Sequence, residues 1–291
     1  MSAAIIVQVA LGGLLMGLVY ALVAAGLSLI FGLMDVVNFA HGELLMLAMY
    51  ATFMIHQATG LDPLLQLPLV ALLLFGAGVA IYRGLISRAL SVRFNTGMVQ
   101  VFVTFGLSIF LVGIAQIVFG SDFRAINDGW LSNANLVMGQ IVLPWSQVAA
   151  GLVCVLAFAA LMLISRTEFG RALEATREDR DAVALIGINR DRVFSIGWGI
   201  GAAAVGIAGV MLANFYYISP NVGANFALIA YVTVALGGFG SLLGALIAGV
   251  LVGLVEAMTA LVMDPSLKQV GIFAIYVMVL MFRPRGLFGR L

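Results

Sequence analysis

From Ile5 to Leu33 the chain runs for 29 residues without a charged side chain. At 1.5 Å rise per residue such a run outspans a hydrocarbon core of roughly 30 Å. Similar apolar runs recur along the whole length, and they decide the fold class. Spans are read at Ile5–Leu33, Ala40–Ala58, Leu64–Leu90, Met98–Phe119, Leu143–Ile164, Val193–Asn214, Phe226–Leu236, Leu242–Val262 and Lys268–Phe282. The expected fold is an all-α polytopic membrane protein with about 8–9 transmembrane helices. Its seventh segment is short, bounded by Gly237, Gly238 and Gly240, and reads as either a crossing or a half-helix. A transmembrane β-barrel would need alternating segments of about ten residues, and this pattern is missing.

Composition agrees. Of 291 residues, 63% are hydrophobic and 9% charged, with a mean hydropathy of +1.16. A globular domain carries about a quarter charged residues, so polar surface here is too scarce to cover a soluble globule. The whole of 1–291 reads as one transmembrane domain. The N-terminus "MSAAIIVQVALGG" has no basic stretch before its apolar run and is expected to be the first span, not a cleaved signal.

Arginine placement orients the chain. Arg83, Arg88 and Arg93 follow the third span, and Arg166, Arg171, Arg177, Arg180, Arg190 and Arg192 follow the fifth. Arg283, Arg285 and Arg290 lie at the C-terminus, while only Arg124 and Lys268 fall in the other set of loops. The arginine-rich loops and the C-terminus are therefore expected in the cytoplasm. Nine crossings, the favoured count, put the N-terminus outside; eight put it inside.

Several chemistries are excluded. The single lysine, Lys268, has no Gly-rich loop before it, so a phosphate-binding Walker loop is absent and the chain is not expected to be an enzyme. His41 and His56 lack further ligands at metal spacing, and one cysteine, Cys154, allows neither a disulfide nor a thiolate cluster. Net charge of +1 without a basic stripe argues against nucleic acid. Ser241 in "GGFGSLLG" lacks the Gly-x-Ser-x-Gly frame and reads as a helix break.

Polar residues then stand out by their scarcity. Asp35, Asn38, His41 and Glu43 cluster in "GLMDVVNFAHGELLML" (Gly32–Leu47). The expectation is a turn at the cytoplasmic face, with Asn38 capping the second span and Glu43 favoured by the positive helix end, or with Asn38 and His41 closing the turn by hydrogen bonding backbone groups. The alternative is a broken helix entering the protein interior, with His41 and Glu43 locking the break or acting in gating. Glu256, in the eighth span, either lines a polar cavity or reaches the interface. Small residues pair at four-residue spacing as Gly13/Gly17, Gly197/Gly201, Gly240/Gly244 and Gly249/Gly253, read as close helix packing.

The segment 165–192 is polar but nearly neutral, with six arginines and six acids. Within it Asp179 is placed to cap a short helix whose apolar face is Ala182, Val183, Leu185 and Ile186, closed by Gly187. A helix this short needs a surface, either the chain's own spans or a groove on a soluble partner.

Taken together, "NFAHGE" (Asn38–Glu43), "LIGIN" (Leu185–Asn189) and "GGFGSLLGA" (Gly237–Ala245) resemble the permeases of branched-chain amino acid ABC importers, the LivH type. The resemblance extends from about Gly17 to the terminal "RPRGLFGR". It implies a multi-pass subunit of the bacterial inner membrane that moves a small solute, branched-chain or other hydrophobic amino acids, by ATP-driven alternating access. Implied partners are a second, diverged permease subunit, two cytoplasmic ATPases carrying ATP and Mg, a periplasmic binding protein and membrane lipid. The resemblance makes 165–192 the ATPase-coupling segment, through Glu174, Ala175, Asp179, Ala182, Leu185 and Gly187. Asn38, His41, Glu43, Gly238, Gly240 and Glu256 are the candidate gate or pathway residues. A self-sufficient secondary transporter or channel is the alternative.

Overall fold

The computed structural model describes residues 3–35, 37–90, 96–132, 134–179 and 182–289. Arg93, Arg180 and Arg290, used above for orientation, lie outside the described residues, as does the side chain of Ala182. The chain folds as α1 (Ala3–Met34), α2 (His41–Thr59) and α3 (Pro63–Ile81), the last continued by a π turn at Tyr82–Ile86 into α4 (Ser87–Leu90). After α5 (Thr96–Phe119) comes a two-stranded hairpin of β1 (Asn135–Met138) and β2 (Ile141–Pro144). Then follow α6 (Trp145–Ser165), α7 (Glu168–Glu178), α8 (Ala182–Leu185), α9 (Arg190–Leu212), α10 (Val222–Gly237), α11 (Leu242–Val262) and α12 (Lys268–Phe282). Seven helical segments among the described residues are long and apolar enough to cross a membrane; α2 and α10 are the additional ones.

Local chemistry sets the helix ends. Asp62 Oδ1 accepts from Leu64 N at 2.9 Å with Pro63 behind it, opening α3. Thr167 caps α7 through Gly170 N, Asn189 caps α9 through Arg192 N, and Ser241 caps α11 through Gly244 N. Ser241 is thus a helix cap, as the break reading of "GGFGSLLG" expects.

Helix α1 is the hub. It packs on α11, α9, α6 and α10, while α9 carries α3 and α2 on its other side. The α1–α11 contact is backbone on backbone. A β-carbon on Gly17 would lie 2.8 Å from the Gly249 carbonyl oxygen, and one on Gly13 would lie 2.8 Å from that of Gly253. In lipid no hydrophobic effect separates helix from acyl chain, so this close approach supplies the association. α5 and α12 face outward with exposed Phe102, Ile117 and Met281, as lipid- or partner-facing helices do.

All arginine-rich segments lie at one end of the bundle. Tyr82 donates to Asp191 at 3.1 Å, Trp198 donates to the Met34 sulfur at 3.0 Å, and Arg177 reaches Gly240. Arg124 belongs to the opposite end, where it pairs with Ile218 in an isolated bridge and where His56 meets Asp128 at 2.9 Å. That bond from His56 holds the exposed Asp128 carboxyl below its ordinary range.

Glu256 lies buried on α11, where its carboxylate finds two partners. It is 6% exposed, accepts from the Tyr20 hydroxyl at 2.6 Å and pairs with Lys268 Nζ at 2.6 Å. This ties α1, α11 and α12 together. One partner alone would leave an unpaired charge among apolar side chains.

Two stability outcomes follow. Gly17→Val should cost about 1–3 kcal/mol by overpacking, whereas Gly76→Val in α3, with no atom within 4 Å of the new β-carbon, should be near neutral. Lys268→Met should lower the melting temperature of the purified protein by a loss on the order of 1–3 kcal/mol, and adding Glu256→Gln should recover most of it. Thermal unfolding in detergent reads both.

Candidate functional site

The polar cluster of the first two helices sits inside the bundle, not at its face. His41 Nε2 donates to the Val23 carbonyl at 3.0 Å. Val23 lies about 16 Å along α1 from its Met34 end, at 1.5 Å per residue. Glu43 Oε1 accepts from Ser108 at 3.1 Å, and Ser108 is midway along α5. The connection after Met34 therefore turns back into the protein before α2 begins. This corrects the expected cytoplasmic turn and realises the broken-helix alternative. Asp35 stays exposed at the rim with φ of +55°, while Asn38, His41 and Glu43 are buried.

Nor does Asn38 cap α2. The capping position is Ala40, without a side-chain bond, and Asn38 Oδ1 accepts from Ala40 N at 3.0 Å to close the preceding turn. Tyr231 of α10 donates to the Asn38 carbonyl at 3.1 Å, and Phe39 packs between Phe105 and Tyr231.

α10 begins at the same depth. A β-carbon on either Gly42 or Gly223 would run into the carbonyl oxygen of the other, and one on Gly223 would also meet Glu43 Oε2. The short seventh segment is thus Val222–Gly237, a 16-residue helix whose N-terminus faces that of α2 in the bundle interior. Both helix dipoles point their positive ends toward Glu43. Three buried atoms here lack a hydrogen-bond partner among the described residues: Asn38 Nδ2, His41 Nδ1 and Glu43 Oε2. Each such atom costs about 1–3 kcal/mol if it stays unpaired.

At the arginine-rich end, α7 lies under α1 and α9 with Phe169, Ala172 and Leu173 packed inward. Arg177 Nη1 donates to the Gly240 carbonyl at 3.0 Å. Gly240 has φ of +76°, and any β-carbon there would run into the guanidinium. Gly238, at φ of +98°, is covered by the C-terminal tail, where Leu287 N and Phe288 N donate to the Leu236 and Gly237 carbonyls at 2.7 and 3.0 Å. The tail thus satisfies the last carbonyls of α10. Gly238 and Gly240 form one turn at this end, some distance from the polar cluster with which they were grouped.

The coupling candidates divide. Glu174 is exposed on α7 and Ala175 half-buried. Asp179 stands between the two helices: its N–H donates to the Ala175 carbonyl at the end of α7, and its own carbonyl accepts from Val183 N of α8. Ala182 opens α8, and Gly187 follows it at φ of +81°. The expected apolar face splits, because Val183 is buried whereas Leu185 is 89% and Ile186 73% exposed.

Sequence reading missed Arg177, Ser108, Tyr231, Tyr20 and the pairing of Lys268. The first four meet their partners from 63 or more residues away, where nothing local in the sequence announces a pairing, and Lys268 meets Glu256 across the turn between α11 and α12.

Comparison with known proteins fits this architecture. The family described as the branched-chain amino acid transport system permease component matches residues 9–281. The chain is 35% identical to the LivH high-affinity branched-chain amino acid permease protein of Escherichia coli strain K12, over 96% of this chain and 94% of that one. It is 32% identical to the BraD permease protein of Pseudomonas aeruginosa, over 97% and 95%. The LivM permease protein of Salmonella typhimurium is 27% identical over 94% of this chain and 68% of that one. No solved structure matches. With a buried helix break, a glycine turn and a near-neutral polar segment in one apolar bundle, the chain belongs to the branched-chain amino acid transport permease family.

Proposed function

We propose that this chain is the transmembrane half of an ATP-driven importer that moves branched-chain or similar hydrophobic amino acids into the cytoplasm. Its relatives' names support the solute class, and the match to both LivH- and LivM-named proteins supports pairing with a second, diverged permease subunit. ATP and Mg belong to two ATPase subunits on the cytoplasmic side, and a periplasmic protein delivers the solute. The arginine-rich end, with the C-terminus, is the cytoplasmic end.

The observation that carries this reading is Leu185 with Ile186. Two large apolar side chains project at the arginine-rich end from a helix of four residues, anchored on the inner side by Val183. In an aqueous compartment such a pair calls for a protein groove. Pressure on α8 passes through α7 and Arg177 to the Gly238–Gly240 turn, and so to the ends of α10 and α11. At its other end α10 meets α2 around Glu43, which makes the buried cluster the gate that this movement opens. The requirement is two packings of similar energy biased by the partner's nucleotide state.

Leu185→Asp should leave the permease inserted and assembled but cut ATP-dependent leucine uptake by roughly tenfold or more, the size of losing an interface anchor. Proteoliposomes containing the full complex give the measurement; unchanged uptake means the ATPase grips elsewhere. Glu43→Gln keeps the shape and the Ser108 partner, so thermal stability should stay within about 1 kcal/mol while uptake falls roughly tenfold. Uptake that needs no ATPase subunit and follows an ion gradient would instead make this a secondary transporter, with Glu43 and His41 as its relay.

A further inference from the structure

Helix α5 turns Phe102, Ile109 and Phe110 outward, and its inner face is of two kinds. In the half nearer the arginine-rich end stand Gln100, Thr104 and Ser108, four residues apart and therefore in line. In the other half the same face carries Leu111 and Ala115. Gln100 and Thr104 are buried, and Ser108 donates to Glu43 Oε1 at 3.1 Å. The polar line therefore begins at the buried junction and ends at the first turn of α5, beside α4 with its Arg88.

Buried hydroxyls in a membrane bundle commonly join one helix to another. That of Thr104 stays within its own helix. It donates to the Gln100 carbonyl at 3.0 Å, with the Val101 carbonyl at 3.2 Å, and among the described residues it ties no second helix. Across the junction, Glu43 Oε2 is buried and has no hydrogen-bond partner among the described residues. α5 is also lightly held. It packs mainly on α2, α4 and the π turn, whereas α1 carries α6, α9, α10 and α11. Near mid-height its ties are the Ser108–Glu43 bond and the edge-to-face contact of Phe105 with Phe39, with ring centroids 6.2 Å apart.

We propose that the line Gln100–Thr104–Ser108 walls the solute's way out, from the gate at Glu43 to the arginine-rich end, and that it opens when α5 parts from α2. This rests on the reading of the chain as an importer of hydrophobic amino acids. Such a solute travels as a zwitterion. Uncharged Ser, Thr and Gln side chains suit it, because they offer donors to its carboxylate and acceptors to its ammonium without the strong hold of an ion pair. Glu43 Oε2 receives the ammonium first. Phe39 and Tyr231, with ring centroids 5.6 Å apart at the same place, meet the apolar side chain. Beyond Ser108, toward the opposite end, the face turns apolar, so the line serves release and not entry.

Cysteine accessibility in proteoliposomes of the complete transporter tests this, with Cys154→Ala removing the chain's single cysteine. With a charged methanethiosulfonate on both sides of the membrane, Thr104→Cys should react about tenfold faster during turnover with leucine and ATP than without nucleotide, as the open population rises. Labels are counted on this chain by mass spectrometry. Phe102→Cys, on the outward face, should show no such acceleration. Thr104→Val keeps the shape but not the hydroxyl, so uptake should fall about tenfold at an unchanged melting temperature, and Thr104→Ser should retain it. Where Thr104→Cys itself stops uptake, Gln100→Cys reports in its place. A thiol in the line that stays unmodified while the same preparation takes up leucine overturns the proposal and leaves the importer reading standing. So does equal acceleration at Phe102→Cys, or a Thr104→Val complex that matches wild type. Uptake that runs without the ATPase subunits overturns the importer reading, and this proposal with it.

Discussion

A helix that begins inside an apolar bundle leaves its first amides with no water to meet them. This chain does so twice, at the starts of α2 and α10, and brings the two ends together. The arrangement is tolerable because the partner groups are internal. Asn38 closes the turn before α2, Tyr231 holds the Asn38 carbonyl, and Glu43 lies between two positive helix ends. Gly42 and Gly223 are required because only bare backbone fits where the ends meet. The rest of the bundle, with α1 at its centre, encloses this junction.

The two ends of the molecule are built differently. At the arginine-rich end the parts are a short exposed helix, an arginine seated in a glycine turn and a C-terminal tail laid across α10. Toward the opposite end an ion pair and a backbone bridge tie the chain together: Glu256 with Lys268, Arg124 with Ile218. α10 links the two, running from the buried junction to the glycine turn. A displacement of α7 thus has a short, continuous route to Glu43.

Much of this was legible beforehand, for identifiable reasons. Helix count and boundaries follow from long apolar runs, because lipid permits only structures that satisfy their own backbone. Gly13, Gly17, Gly249 and Gly253 were marked as packing residues by their spacing, and they face each other across α1 and α11. The break at "GGFGSLLG" was readable from its glycines. The depth of Asn38, His41 and Glu43 was not. A cap at the surface and a re-entrant start use the same residue types, and only contacts with Val23 and Ser108 distinguish them.

The sequence alone determined a membrane bundle, its arginine-rich end and the places where its helices break. Those are properties of composition and of neighbours along the chain. Tertiary structure decided that Glu256 is neutralised by Lys268, that Arg177 sits on Gly240, and that two helix ends and Glu43 share one buried junction. The last two bring together residues far apart in the chain, and all three depend on packing in three dimensions. The physical reason is that a charge or an amide in an apolar interior must find a partner, but local sequence does not say which one.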